Sequence, residues 1–137
     1  MEIFTATKDD LEVLADLNEQ LIQDEGHRHS RNKRELLLRM ERWLSNEYSA
    51  ALFKYDNETL GYVLWRDHAD FVYVRQFFIC DKFRKRGFGG RVFKVVKEEY
   101  WNSKRLRLEV LVHNKRALGF WKSVGFNEYS VTLEQEK

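Results

Sequence analysis

Proline is absent from this 137-residue sequence and cysteine occurs once, at Cys80. Without proline there is no proline-rich linker or spacer, and no low-complexity tract or internal repeat interrupts the chain. A lone cysteine cannot form an internal disulfide, and Met1-Glu2-Ile3-Phe4 does not open a basic-then-apolar leader. Both features lead us to expect a reducing, cytoplasmic setting. No apolar run approaches the roughly 18 residues that a spanning helix needs, so membrane insertion is not expected. Net charge is also scarce, with 24 Lys and Arg against 22 Asp and Glu. The length suits one domain, residues 1–137, whose core needs neither a disulfide nor a metal to hold it.

The small net charge conceals two poles. Residues 1–25 carry eight acidic residues against Lys8 alone, whereas residues 82–97 carry Lys82, Arg84, Lys85, Arg86, Arg91, Lys94 and Lys97 with no acid. A basic pole set among glycines suits a phosphate-bearing ligand, and solvated helix faces would give the same pattern.

Hydrophobic periods alternate between strand and helix. Residues 2–6 form a short strand, and Leu11, Leu14, Leu17 and Leu21 then recur at helical spacing behind a Thr7 cap. Leu36, Leu37, Met40, Trp43 and Leu44 mark a second helix. Strands at 48–55 and 59–66 flank the turn Asp56-Asn57-Glu58, and a third strand spans 70–80. Val92, Phe93, Val96 and Tyr100 line one face of a helix. A strand at 105–113 follows, then a short helix through Ala117, Phe120, Trp121 and Val124 that Gly125 ends, and a last strand at 126–133. The order β-α-α-β-β-β-α-β-α-β predicts an α/β fold, a mixed sheet, antiparallel early, with helices on both faces and a β-α-β crossover over the glycines.

That crossover carries Ile79-Cys80-Asp81-Lys82-Phe83-Arg84-Lys85-Arg86-Gly87-Phe88-Gly89-Gly90. Glycines at a strand-to-helix junction let the backbone approach an anion and direct the first helical N–H groups at it. Neither the dinucleotide pattern G-x-G-x-x-G nor the P-loop G-x-x-x-x-G-K-[ST] is present. Arg84, Gly87 and Gly89 do meet [QR]-x-x-G-x-[GA], and Asn114 to Phe126 resembles N-x-x-A-x-x-[FY]-Y-x-x-x-G-F. The two motifs and the order of elements together resemble the GNAT acetyltransferase superfamily along essentially the whole chain.

The resemblance implies a mostly antiparallel sheet whose strands 70–80 and 105–113 run parallel and splay apart, with acetyl-CoA as co-substrate in the gap and no metal. It implies that Phe77, Phe78 and Ile79 pair with the pantetheine arm through their backbone. It also implies that Arg84, Lys85, Arg86, Gly87, Phe88, Gly89 and Gly90 hold the pyrophosphate, and that Asn114 steadies the pantetheine. The expected activity is acetyl transfer to a primary amine of a small molecule or peptide by direct attack, and the alternative is a catalytically silent acyl-CoA-binding or sensing module.

Such a transfer needs a base, because a primary amine is protonated at neutral pH. On strand 105–113, Leu106, Leu108, Val110 and Val112 face one way and Arg107, Glu109, Leu111 and His113 the other. Glu109, five residues before Asn114, stands where some relatives carry a base, and it is equally suited to an ion pair with Arg107 or Arg75. His113 is a secondary candidate, and a backbone N–H near Ile79 or Cys80 is expected to meet the oxyanion.

Trp121 occupies the position where the family pattern has a tyrosine acid, and indole cannot act as one near neutral pH. The proton then comes from water or the substrate ammonium, from Tyr73, Tyr129 or another phenol, or catalysis has been lost. Asp24 and Glu25, in the loop Asp24-Glu25-Gly26-His27-Arg28-His29-Ser30, would favour a cationic acceptor. His27 and His29 lack partners at ligand spacing for a metal. Cys80 reads as a small buried hydrophobe rather than an acetyl carrier. Aromatic residues near the basic stretch have core spacing rather than that of a nucleic-acid platform. One strand after the last helix leaves an open sheet edge, so a homodimer is expected.

Overall fold

The computed structural model describes residues 1–26, 31–102 and 104–137. Its elements are β1 (Glu2–Thr5), α1 (Leu11–Glu25), α2 (Lys33–Ser45), β2 (Tyr48–Tyr55), β3 (Glu58–Asp67), β4 (Phe71–Ile79), α3 (Phe88–Val96), β5 (Arg105–Arg107) and α4 (Lys115–Ser123). The sheet order is β1-β2-β3-β4-β5, with the first three pairings antiparallel and β4-β5 parallel. The expected α/β class therefore holds.

Local chemistry sets the boundaries. Asn32 accepts from the Glu35 N–H at 2.9 Å while Glu35 accepts from the Asn32 N–H at 3.0 Å, a reciprocal cap that starts α2. The β2–β3 turn places Asp56 at φ 53° and Asn57 at φ 64°, a left-handed pair of the kind that matches hairpin twist. Two apolar layers cover the sheet. On one face Leu14, Leu17 and Leu21 of α1 and Met40 of α2 pack on Leu52, Tyr62, Leu64 and Phe78. On the other, Val92, Phe93 and Val96 of α3 and Trp121 of α4 pack on Phe53, Val63, Trp65, Val72 and Val74.

After α3 the chain makes a π turn over Lys97–Trp101; Tyr100 packs against the core as expected, and the added residue per turn brings Trp101 in beside it, fully buried. Two expectations need correction. The strand expected at 105–113 pairs only over Arg105–Arg107, opposite Phe71, Val72 and Tyr73. Leu106, Leu108 and Val110 still pack against the core, but Val112 lies in the turn before α4, 80% exposed. The strand expected at 126–133 is not formed. Phe126 packs inward, while Tyr129, Val131 and Leu133 alternate in the open with no neighbouring strand to complete a ladder.

Candidate functional site: the gap beyond β4 and β5

The gap begins where β5 stops. Register along β3–β4 shifts between Leu64 and Trp65, so that Leu64 faces Gln76, Trp65 faces Val74, and Arg75 is the extra residue of a bulge. A bulge bends its strand, and past Tyr73 no strand among the described residues pairs with the outer edge of β4. Cys80 donates its N–H to the Leu60 carbonyl on the β3 side at 2.8 Å. Alternation along the strand then turns the amides of Phe77 and Ile79 outward, into the gap. Of the two backbone donors expected for an oxyanion, the Ile79 N–H faces the gap and the Cys80 N–H is already bonded to Leu60.

The glycine loop closes one end of the gap. Lys85 at φ 61° and Gly87 at φ 78° are both left-handed, and Gly87 caps α3. Successive N–H groups in such a loop form a concave anion cradle continuous with the open first turn of the helix. Phe88 is buried, so it offers the loop its backbone rather than its ring. Gly89 lets α4 approach, since a Cβ there would meet the Phe120 ring at 3.0 Å. Lys85 and Arg86 are exposed, and Arg86 lies over the Phe88 ring at 5.2 Å.

Arg84 turns the other way. Its Nε donates to the Ile79 carbonyl at 2.9 Å, and its Nη1 donates to Asp24 at 3.0 Å and to Asp81 at 3.4 Å. Arg116, in the first turn of α4, binds the second Asp24 oxygen. Partial burial raises the Asp24 pKa, but the hydrogen bonds and charges of Arg84 and Arg116 outweigh it and hold the carboxyl below its ordinary value. His113 Nε2 lies 3.1 Å from the Glu25 carbonyl oxygen. The acidic end of α1 is therefore fastened across the mouth of the gap, with the Asp24 charge matched by two guanidinium groups. His27 and His29 lie outside the described residues.

Glu109 is exposed beside the gap and accepts from the Tyr73 hydroxyl at 2.8 Å. It pairs with neither Arg107, which lies over the Phe71 ring at 4.2 Å, nor Arg75, which donates to the Tyr48 hydroxyl at 3.2 Å. Burial, reinforced by the Glu109 carboxylate, pushes the Tyr73 pKa up to about 12. Asn114 caps α4, its Oδ1 accepting from the Ala117 N–H at 3.1 Å. Trp121 is buried among Phe77, Phe93, Phe120 and Phe126, with its ring 5.2 Å from that of Phe77. Burial raises the pKa of Cys80, which keeps the thiol protonated and a poor nucleophile.

The family model described as Acetyltransferase (GNAT) family matches residues 12–126. The chain belongs to this family. As a GNAT protein its activity class is acetyl transfer, and the cradle, the outward amides and the basic loop fit acetyl-CoA as the donor. The GNAT fold also appears in its structural neighbours. A tetramutant of the BH1408 protein from Bacillus halodurans superposes with TM-score 0.82 at 20% identity, covering 100% of both chains. A possible acetyltransferase from Clostridium difficile 630 gives 0.80 at 18%, covering 99% of this chain and 96% of that one. Aminoglycoside N-acetyltransferase AAC(6')-Iy, in complex with CoA, gives 0.78 at 17%, covering 99% and 93%. No curated protein matches the sequence significantly. No helix among the described residues is long and apolar enough to cross a membrane.

Sequence reasoning missed two things in this GNAT chain. One is Asp24 as a bridge between the cofactor loop and α4, because residues 24, 84 and 116 share no local pattern. The other is a cluster of arginines with Trp43 on the α2 side of the sheet. Arg39 and Trp43 do stand at i and i+4 on one face of α2, a visible signal.

Proposed function

We propose that the chain is an acetyl-CoA-dependent N-acetyltransferase that acetylates a primary amine of a small molecule or peptide by direct attack. The observation that carries this is the Tyr73–Glu109 hydrogen bond at the edge of the gap that the Ile79 amide and the glycine cradle also border. Acetyl-CoA, when bound, supplies a thioester carbonyl, to which the amine nitrogen forms its new bond as the carbon–sulfur bond breaks. Lys85 to Gly90 hold the pyrophosphate through backbone N–H groups, and Phe77 and Ile79 hold the pantetheine arm. The Ile79 N–H, pointing into the gap, donates to the oxygen on which negative charge develops.

Glu109 takes the proton from the acceptor ammonium, directly or through water. Tyr73 stays protonated through the neutral range and orients the Glu109 carboxylate. A phenol with a pKa near 12 is a weaker acid than a thiol near 8.5, so the proton for the departing thiolate comes from the acceptor or from water rather than from Tyr73. Trp121 walls the apolar end of the gap. Arg84 organises its mouth through Ile79 and Asp24, and Asn114 holds α4 in place with its Oδ1.

Release of CoA thiol over a broad panel of amines tests this, with thiol formed only when an acceptor is present. Trp121 in the tyrosine position favours a second reading, an acyl-CoA-binding module without turnover. Acetyl-CoA binding with no turnover across the panel, and turnover gained in Trp121→Tyr, would establish it. The outer edge of β5 and the exposed Tyr129, Val131 and Leu133 of the tail support a homodimer. The single cysteine supports a cytoplasmic setting.

A further inference from the structure

On the α1–α2 face of the sheet, beside Tyr73, lies a cavity of about 440 Å³ bordered by Arg31, Arg39, Arg42, Arg75, Trp43 and Tyr48. The bulge in β4 builds it. Because Arg75 is the extra residue, it and Gln76 both turn toward the helices. Gln76 accepts from the buried Tyr62 hydroxyl at 2.7 Å, while Arg75 lies 4.9 Å over the Trp43 ring. Arg39 lies 4.4 Å over the same indole and donates to Asn18 at 2.9 Å. Stacking and these hydrogen bonds fix two guanidinium planes before any ligand arrives.

Four guanidinium groups border the cavity. Among the described residues no carboxylate pairs with Arg39, Arg42 or Arg75. The one acid in the wall, Glu47, is bound to Arg66. Burial first, and then the charges of Arg31, Arg75 and Arg42, lower the Arg39 pKa to about 10. Guanidinium groups held together against their mutual repulsion make a ready-made site for a carboxylate or phosphate, which they can bind in pairs of parallel hydrogen bonds.

Resting on the acetyl-transfer function above, we infer that the acceptor is an amine that also carries an anionic group, a carboxylate or phosphate seated between Arg39, Arg75 and Trp43. Arg75 lies two residues from Tyr73, whose hydroxyl binds Glu109, so the acceptor that joins the two sites is a compact amino acid or phosphorylated amine. The acidic end of α1 does not oppose this, because Arg84 and Arg116 match the Asp24 charge. A cationic acceptor, the expectation from Asp24 and Glu25 in sequence, meets repulsion at the cavity.

Matched pairs decide it. Phosphoethanolamine against ethanolamine, and γ-aminobutyrate against its amide, are compared by thiol release and, without acetyl-CoA, by calorimetric titration. The anionic member of a pair is expected to have at least a tenfold higher kcat/KM, and whichever pair shows it separates phosphate from carboxylate. Arg75→Gln is expected to abolish that preference, raising KM for the anionic member of a pair at least tenfold more than for the neutral one, with acetyl-CoA affinity unchanged and Arg75→Lys restoring part of the preference. Arg42→Gln, at an exposed position, gives a second and smaller loss if Arg75→Gln folds poorly. Turnover with no preference for anionic acceptors overturns the inference and leaves acetyl transfer standing. No turnover, with anion binding lost in Arg75→Gln, removes acetyl transfer and supports the anion site. Salt-dependent oligonucleotide binding that disappears in Arg75→Gln, with no response to the small anions, also overturns it.

Discussion

The two sides of the gap are built by different means. The proposed cofactor side is backbone: a left-handed Lys85 and Gly87, the first turn of α3, and strand amides at Phe77 and Ile79. The proposed acceptor side is side chain: Glu109 from the segment after β5, Tyr73 and Arg75 from β4, Arg39 and Trp43 from α2, and Asp24 from α1. A backbone site demands particular residues at fixed spacing, because only certain φ values and a missing Cβ will make it. A side-chain site assembled from four elements demands only that each element present something useful, and it leaves no spacing to find.

Substitutions on the two sides should therefore fail differently. The largest effect belongs to Glu109→Gln, which removes the base. A drop in kcat of about a hundredfold or more is expected, with acetyl-CoA affinity unchanged by titration. An unchanged kcat would assign Glu109 to holding Tyr73 alone. Next is Gly87→Val, on the cofactor side. A Cβ at Gly87 meets nothing within 4 Å, so the cost is the left-handed φ itself, about 1–2 kcal/mol. If the free loop relaxes, binding has to restore the turn, and the acetyl-CoA Kd should rise about tenfold while kcat at saturation is retained. Loss of kcat at saturating acetyl-CoA would erase the distinction between the sides.

The smallest effect is on stability at high pH. The Tyr73 pKa rises from an ordinary 10.0 to about 12 on folding, so the folded chain keeps a proton that the unfolded chain loses in that interval. The stabilisation is present in full below pH 10 and is lost as pH climbs to 12. Tyr73→Phe should lack this component, so its Tm should fall less than that of the native chain between pH 10 and 12, by a few degrees at most. An identical fall in both would remove Tyr73 as its source.

The same division explains what the sequence made legible. Element order as far as α4, the hairpin and the basic pole all followed from local rules, and Lys85 to Gly90 form the strand-to-helix loop that the motif marks. The tertiary exceptions did not. A π turn brought Trp101 inward beside Tyr100, the β4–β5 pairing stops at Tyr73, and Tyr129, Val131 and Leu133 have strand periodicity but form no strand. The pairing of Asp24 was hidden for a similar reason. Asp24 and Glu25 read as free acids in sequence, and only the fold brings Arg84 and Arg116 to Asp24 from 60 and 92 residues away.

Amide chemical shifts recorded during a CoA titration test the division most directly. Saturable shifts are predicted at Phe77, Ile79 and Lys85 to Gly90, with Arg39, Trp43 and Arg75 unmoved until an anionic amine is added. Shifts centred on Arg39, Trp43 and Arg75, with Lys85 to Gly90 silent, would contradict it.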